Sequence, residues 1–146
     1  MVDIKYKKLN NEAKEPTRGS KEAAGYDLYA NIAEDFIVIH PHETVKIGTG
    51  ISMEIPMGYF GGIFARSGLS RKEGLRPCNC VGAIDPDYRG EIIVALHNDH
   101  STDRYITPNE RIAQIIILPF LEVNFKEVDK LNISQRGEGG FGSTGK

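Results

Sequence analysis

Apolar and polar positions alternate along much of the chain with a period of about two, which is typical of half-buried β-strands. Clusters of Gly, Pro, Asp and Asn that favour turns separate these stretches. The predicted strands span 36–39, 44–55, 59–65, 80–84, 91–96 and 112–118. Residues 68–73 are predicted to form one short helix. We therefore predict an all-β fold with very little helix, a jelly-roll-like barrel or sandwich.

Three details of this pattern make more specific predictions. Gly48 and Gly50 are interpreted as bulges within the strand 44–55. The strands 80–84 and 91–96 flank the polar segment 85–90 and are expected to pair as a hairpin. The isoleucine-rich strand 112–118 is apolar on both faces, which favours either the core or an interface between subunits.

The length of 146 residues is sufficient for one domain and leaves little room for a second. We assign residues 1–134 to a single β-barrel domain. The segment 135–146 contains five glycines and one aromatic residue, so it cannot pack on its own. It is predicted to be a mobile C-terminal arm.

Charge and hydropathy exclude several classes of function. The net charge is −2, from 18 basic and 20 acidic side chains, so no positive field attracts nucleic acid. The longest apolar run, 115–121, is far shorter than the ~20 residues of a membrane-spanning helix. No basic start is followed by an apolar stretch, which argues against a secretory signal. We expect a cytoplasmic protein that binds neither nucleic acid nor a membrane.

The cysteines favour a simple interpretation. Cys78 and Cys80 are separated by one residue, and a metal site would also need histidines that lie far away in the sequence. We therefore expect buried, reduced thiols rather than a zinc site.

Several polar residues stand where strands are predicted to end. Asp85 directly follows an apolar strand, which holds a carboxylate rigidly, as a general base requires; the alternative is an aspartate that caps a turn. The sequence Arg66-Ser67-Gly68 ends a strand and begins the short helix, an arrangement suited to phosphate. The alternative is a surface ion pair for Arg66 and an N-cap role for Ser67.

Two further polar residues lie in apolar surroundings. Gln114 interrupts an apolar strand, so its amide must bond either the backbone or a ligand. Asp27 is flanked by small and apolar residues, and a capping or turn role is its ordinary explanation. In the arm, Arg136 suits an anionic ligand, and Phe141 is expected to dock on another surface because nothing local can bury it.

Five segments, in order along the chain, together resemble the family of trimeric deoxyuridine triphosphatases (dUTPases). They are 24–28, 66–70, 79–91, 111–114 and 136–145. The third and fifth are the most specific. Ala65 stands where the family usually has Pro, and 109–110 where it usually has Gly-Asp; neither change touches a reacting group. The resemblance implies a homotrimer with active sites at its subunit interfaces, each closed by a C-terminal arm.

The resemblance also implies a reaction, in which water attacks the α-phosphorus of dUTP to give dUMP and pyrophosphate. This reaction limits uracil in DNA and supplies dUMP for thymidylate synthesis. Asp85 would activate the water, and Asp27 would bond the waters of a Mg²⁺ ion held mainly by the substrate phosphates. The residues implied in phosphate binding are Arg66, Ser67, Gly68, Gln114, Arg136, Ser143 and Thr144.

Recognition of the nucleoside is assigned by the same resemblance. Backbone groups near Ala83, Ile84, Asp85 and Ile93, with the Asn79 amide, would read the pairing edge of uracil. Tyr88 would lie beneath the deoxyribose and exclude a 2′-hydroxyl. Phe141, followed by Gly142, would stack on the base.

Two alternatives remain at this point. One is a dCTP deaminase-like enzyme of the same fold, which needs a Glu-centred site that is not found at 85–90. The other is a non-catalytic, nucleotide-binding regulatory trimer. The set of Asp85, Arg66 and Arg136 argues against this second alternative, because a pure binder has no use for a water-activating carboxylate.

Overall fold

Residues 2–140, the part of the chain that the structure (a computed structural model) describes, form twelve β-strands and one helix. The strands are β1 (Lys5–Lys8), β2 (Thr17–Arg18), β3 (Tyr26–Tyr29), β4 (Ile37–Ile39), β5 (Thr44–Gly48), β6 (Ile51–Glu54), β7 (Tyr59–Phe64), β8 (Leu75–Pro77), β9 (Val81–Ile84), β10 (Ile93–Asn98), β11 (Arg104–Ile106) and β12 (Arg111–Pro119). The helix α1 spans Ser67–Glu73. The predicted all-β, jelly-roll-like class is confirmed.

The largest sheet has five antiparallel strands in the order β2-β3-β12-β7-β9. The isoleucine-rich β12 lies at its centre, and Ile112, Ala113 and Ile115 are buried there. A second sheet has the order β5-β10-β8, and two pairs, β1-β6 and β11-β4, complete the strand pairing of the described residues. Because β12 is central and its first half is buried, its apolar character serves the core.

The predicted single strand 44–55 is wrong: β5 and β6 belong to different sheets. β5 pairs with β10, whereas β6 pairs with β1. The chain turns at Gly50, whose φ of +67° lies in the left-handed region, and a Cβ there would come within 2.6 Å of the Ala13 Cβ. Gly50 therefore redirects the chain instead of forming a bulge within one strand.

The predicted hairpin is also wrong. β9 pairs with β7, and β10 pairs with β5 and β8, so the segment 85–92 connects two sheets. Ile92 is fully buried, and its backbone N–H donates to the carbonyl of Ile51 at 2.8 Å. Burial of the Ile92 side chain stabilises the arrangement in which β10 pairs within the second sheet and not with β9.

The predicted short helix is confirmed, with its bounds at Ser67–Glu73. Leu69 is its buried residue, and the helix ends at Gly74, whose left-handed backbone lets its N–H donate to the Leu69 carbonyl. Arg66 occupies the N-cap position, and no side chain caps the helix. The alternative N-cap role for Ser67 is therefore wrong.

After β12, residues 120–140 have no regular secondary structure and expose several apolar side chains. Leu121, Phe125, Leu131 and Ile133 are 86%, 93%, 88% and 102% exposed. These four side chains therefore bury little apolar surface against the rest of residues 2–140. Within residues 2–140, no helix has the length and apolar character needed to cross a membrane.

Candidate active site

The sequence segments 24–28, 66–70 and 111–114 converge on one cavity of about 170 Å³. They meet because β3, β12 and β7 are neighbours in the large sheet: Gln114 lies opposite Asp27 on one side and opposite Phe64 on the other. Arg66 follows Phe64 by two residues. The cavity is lined by Gly19, Ala23, Gly25, Asp27, Arg66, Ser67, Gly68, Arg111 and Gln114.

An ion pair stands at the centre of this cavity. The Asp27 carboxylate accepts a hydrogen bond from Arg66 Nε at 2.8 Å on one oxygen and from Arg111 Nη1 at 3.2 Å on the other. The side chain of Asp27 is only 11% exposed, whereas that of Arg111 is 50% exposed. A carboxylate buried to this extent requires cationic partners. A turn or capping role for Asp27 is therefore wrong, and Arg66 forms a partly buried pair rather than a surface one.

Sequence reasoning missed Arg111 as an individual site residue. It lies at the exposed start of β12, three positions before Gln114, where nothing local distinguishes it from a solvated cation. Only the pairing of β12 with β3 places its guanidinium beside Asp27. Arg111 could have been identified from the sequence only because it is the first residue of the segment 111–114, one of the five that carry the family resemblance.

Of the two partners considered for the Gln114 amide, the backbone or a ligand, the structure shows the backbone. Its Nε2 donates to the carbonyl of Ala65 at 2.9 Å, which ties β12 to the residue before Arg66. Its Oε1 lies so close to Gly25 that a Cβ at that position would overlap it. Gly25 is thus required for a close approach, and Gln114 fixes the wall of the cavity.

Ser67 and Gly68 stand exposed at the rim of the cavity. A Cβ at Gly68 would meet nothing within 4 Å in this structure, so the chain itself does not require glycine there. The hydroxyl of Ser67 caps no helix. Both residues present polar groups to a space that a ligand can enter.

A second cluster of predicted residues lies along β9 and the connection that follows it. β9 is the edge strand of the large sheet, and its second backbone edge pairs with no strand within residues 2–140. Ala83 is exposed and Ile84 is half-buried on this strand, while Ile93 is exposed at the start of β10. The Asn79 amide lies above β9, because a Cβ on Gly82 would come within 3.1 Å of its Nδ2. An unpaired strand edge offers fixed donors and acceptors to a ligand.

Asp85 and Tyr88 follow the end of β9. Asp85 is exposed, its backbone carbonyl accepts from the Tyr88 N–H at 3.1 Å, and no donor within residues 2–140 bonds its carboxylate. The Tyr88 hydroxyl donates to the carbonyl of Glu91 at 2.9 Å, with its ring against Gly90. The turn therefore uses the backbone of Asp85, leaving its carboxylate available, and the tyrosine ring is fixed.

The two clusters lie apart within one chain. In the β7–β9 ladder, Ile84 lies opposite Gly61, which places Asp85 at the level of Phe60. Arg66 is six positions further along, a separation of roughly 20 Å at the rise of a β-strand. The structure thus brings Asp27, Arg66, Ser67, Gly68 and Gln114 together but not with Asp85, Tyr88 and the edge of β9.

Arg136 of the arm reaches neither cluster. Its Nε donates to the carbonyl of Gly139 at 2.8 Å within a local turn. The predicted residues Phe141, Gly142, Ser143 and Thr144 lie outside the described residues.

The expectation of buried cysteines is wrong. Cys78 and Cys80 are both free and exposed, because they lie in the surface turn that joins β8 to β9. Within residues 2–140, no group of three or more His, Cys, Asp or Glu side chains is arranged to hold a metal ion.

A larger cavity, about 430 Å³, shares no lining residue with the charged cavity. Its lining is mostly apolar and includes Val2, Ile4, Ile115 and Ile117, and Asp3 is its one acidic residue. This lining offers apolar surface but no constellation of reactive groups, so we assign the chemistry to the smaller, charged cavity.

Comparison with known proteins agrees with this arrangement. The dUTPase family model matches residues 11–145. The deoxyuridine 5′-triphosphate nucleotidohydrolase of Nautilia profundicola is 49% identical over 146 residues, covering 99% of this chain and 100% of the relative. That of Hydrogenobaculum sp. is 45% identical over 139 residues and covers 95% of each chain.

A solved structure of the Staphylococcus bacteriophage 80alpha dUTPase with dUpNHpp superposes with a TM-score of 0.89 at 32% identity and covers 100% of both chains. This chain belongs to the dUTPase family.

Proposed function

We propose that the chain hydrolyses dUTP to dUMP and pyrophosphate at sites that combine residues of more than one copy of the chain. The observation that carries this proposal is the separation of two complementary clusters. The cationic cavity around Asp27 and Arg66 is suited to phosphates, and the edge of β9 with Asp85 is suited to a base and a water. The named activity of the relatives at 49% and 45% identity supports the same substrate.

The separation of the clusters supports a homotrimer. One copy would supply the Asp27–Arg66 cavity, and a second would supply β9 and Asp85. Such a heterologous contact, repeated around a threefold axis, closes into a ring with three identical sites. The exposed apolar side chains of residues 120–133 and the apolar cavity at Ile115 and Ile117 provide surface for these contacts.

The charged cavity would bind the triphosphate. Asp27 holds the Arg66 guanidinium in place, and the half-exposed Arg111 adds a second positive charge. The Ser67 hydroxyl and the Gly68 N–H lie at the rim, and Gln114 keeps the wall in position through Ala65. Arg136, with Ser143 and Thr144 of the arm, would hold the terminal phosphate, since guanidinium groups bind phosphate oxygens in pairs.

Asp85 would act as the general base. Its carboxylate has no donor within residues 2–140, so it is free to accept the proton of a water that attacks the α-phosphorus. The attacking oxygen forms the new P–O bond, and pyrophosphate leaves with the electron pair of the broken bond. No protein nucleophile is required.

The residues present fit a magnesium ion that is held by the substrate and not by a protein cage. Asp27 is the carboxylate of the cavity, and both of its oxygens already accept hydrogen bonds from arginines, which leaves it contacts through water. When bound to the phosphates, Mg²⁺ supplies charge neutralisation and makes the phosphorus more electrophilic.

The edge of β9 would select uracil. Its outward backbone groups and the Asn79 amide present fixed donors and acceptors, and a base with the wrong pattern would leave buried groups unpaired. Tyr88, fixed through Glu91, would form the floor beneath the deoxyribose. Phe141 of the arm would stack on the base from the opposite side. The product dUMP would serve thymidylate synthesis, and removal of dUTP would limit uracil in DNA.

The position of Glu91, the one glutamate in the segment 85–92 between β9 and β10, argues against a deaminase of the same fold. The Glu91 carboxylate accepts the backbone N–H of Gly50 at 2.7 Å, so it fixes the turn between β5 and β6. Glu91 therefore has a structural partner, which argues against a role in activating a water for attack on C4 of a pyrimidine.

Pyrophosphate release from dUTP, compared with the four other deoxynucleoside triphosphates and with and without Mg²⁺, tests the proposed function. We expect strong preference for dUTP, dependence on Mg²⁺, and loss of turnover with retained nucleotide binding in Asp85→Asn. Ammonia release from dCTP would support the deaminase instead. Binding of dUTP without any turnover would support a regulatory trimer.

A further inference from the structure

The two cysteines bracket a residue of the proposed uracil site in one tight turn. Residues 77–80 join β8 to β9, with the Cys80 N–H donating to the Pro77 carbonyl at 3.1 Å. Cys80 has a φ of +61°, a conformation that L-residues other than Asn and Asp rarely adopt. Both thiols are free and exposed. The turn therefore presents a pair of exposed thiols on either side of Asn79.

The position of Cys78 and Cys80 in one tight turn favours a disulfide between them. Consecutive Cα atoms are about 3.8 Å apart, so a tight turn keeps positions one residue apart within the window of about 4.4–6.8 Å that disulfides span. Such a bond would close a small ring. Strained and exposed disulfides are easily reduced, which is a property of reversible ones.

Arg76 places positive charge next to this pair. Its Nη1 donates to the carbonyls of Pro77 and Cys78 at 3.3 and 3.4 Å, and its Nε and Nη2 bond Asp99 at 2.6 and 3.0 Å. The pKa of Arg76 is raised, mainly by Asp99, with smaller contributions from Cys80 and Cys78. The guanidinium therefore fixes the backbone carbonyls at the start of the turn, while Asp99 pairs its charge.

We propose that Cys78 and Cys80 form a reversible thiol-modification site, which a small disulfide oxidises to an intramolecular Cys78–Cys80 disulfide. The thiolate of one cysteine attacks a sulfur of the reagent, which releases one reduced thiol and leaves a mixed disulfide. The second cysteine then attacks its neighbour's sulfur and releases the second reduced thiol. Two electrons and the two cysteine protons pass to the reagent, and a reducing thiol reverses both steps.

Closure of this ring acts on Asn79, which lies between the two sulfurs. The Asn79 side chain packs above Gly82 of β9, and the backbone carbonyl of Asn79 accepts the Val81 N–H at 2.6 Å. Drawing Cys78 and Cys80 together must rotate the peptide groups of Asn79 and shift its amide relative to β9. The effect on substrate binding rests on the proposed function, in which the Asn79 amide reads uracil. The formation of the disulfide itself does not depend on that function.

Two measurements on the full-length protein test the proposal. The protein is equilibrated with mixtures of reduced and oxidised glutathione, blocked with N-ethylmaleimide and weighed by intact mass spectrometry. We expect the wild type to lose two hydrogens and to take up no maleimide, and to recover both thiols in dithiothreitol. Cys78→Ser and Cys80→Ser should instead take up one glutathione. A wild type that stays reduced, or that carries glutathione in every mixture, would overturn the site.

The second measurement separates the site from its consequence. In the oxidised wild type, KM for dUTP should rise by about tenfold or more, whereas inhibition by inorganic triphosphate stays unchanged, because the charged cavity is untouched. The double variant Cys78→Ser/Cys80→Ser should show no change in either quantity under oxidation. An unchanged KM in fully oxidised protein would overturn the coupling to Asn79. If the reduced protein lacks dUTP turnover, the proposed function fails, while the mass measurement still decides the disulfide.

Discussion

Asp27 and Arg66 lie 39 positions apart in the chain and meet at 2.8 Å inside the charged cavity. The Asp27 side chain is 11% exposed and the Arg66 side chain 25% exposed, so both charges are largely removed from water. Arg111 bonds the second oxygen of the same carboxylate. Asp27 therefore positions two cations by a single acidic group, and the geometry of the cavity depends on it.

Asp27→Asn is expected to destabilise the fold and to impair turnover. The amide cannot neutralise two arginines, so the free energy of unfolding should fall by about 1–3 kcal/mol. Turnover of dUTP should fall by at least about tenfold, because Arg66 loses its fixed position. Urea unfolding at matched protein concentration and steady-state kinetics measure the two effects.

The matched control is Glu54→Gln, which removes an exposed pair with Lys5 whose side chains are 49% and 79% exposed. This change should cost less than about 1 kcal/mol. Equal losses in the two variants would show that the cavity pair has no special role.

Gly25→Ala tests the close approach of Gln114. The added Cβ would overlap Gln114 Oε1, so the amide must move and its bond to the Ala65 carbonyl must lengthen or break. We expect a loss of about 1–3 kcal/mol in unfolding free energy and a higher KM for dUTP. The control is Gly19→Ala, because Gly19 lines the same cavity but a Cβ there meets nothing within 4 Å. Its unfolding free energy should stay within about 0.5 kcal/mol of wild type. Similar stability for both variants would contradict this account of the wall.

The His40–Asp103 pair predicts a pH dependence at the surface. The hydrogen bond that the Asp103 carboxylate accepts from His40 Nδ1, together with its negative charge, raises the pKa of His40 above its ordinary value of 6.5. Since the folded pKa is the higher one, the pair contributes fully below pH 6.5 and its contribution is lost as pH rises through the folded pKa. NMR titration should give a lower His40 midpoint in Asp103→Asn than in wild type. An identical midpoint would show that the pair does not form in solution.

Removal of the end of the arm should impair catalysis without breaking the assembly. A chain ending after Gln135 lacks Arg136 and Phe141, and stacking on a base contributes about 1–3 kcal/mol per base. We expect turnover of dUTP to fall by at least about tenfold, with an unchanged elution volume in size-exclusion chromatography. A chain lacking only Gly145 and Lys146 should stay active. Full activity of the chain that ends after Gln135 would rule out a role for the arm in closing the site.

The sequence predicts seven of the twelve strands of residues 2–140 and misses β1, β2, β3, β8 and β11, and it predicts strand pairing poorly. The predictions located β7, β10 and β12 to within one or two residues at each end, because apolar runs bounded by turn residues are a local signal. The pairing of β9 with β7, and the separation of β5 from β6, depend on contacts between distant segments, such as the burial of Ile92 against Ile51. No local pattern contains that information.

The site divides in the same way. Asp27, Arg66 and Gln114 were identified because each is a polar residue in an apolar setting or at a strand end. Their mutual geometry and the contribution of Arg111 appear only when β3, β12 and β7 are placed side by side. The exposure of Cys78 and Cys80 was missed because the sequence does not reveal that their turn faces solvent.

The most direct test of the composite site mixes two inactive variants. Arg66→Ala removes a proposed phosphate-binding side chain, and Asp85→Asn removes the proposed general base. In one chain these two residues lie roughly 20 Å apart along the β7–β9 ladder. If each site takes Arg66 from one copy and Asp85 from another, mixed trimers regain one intact site each. Unfolding and refolding an equal mixture should then restore about one quarter of wild-type dUTP turnover. A mixture as inactive as either variant alone would contradict a site shared between copies.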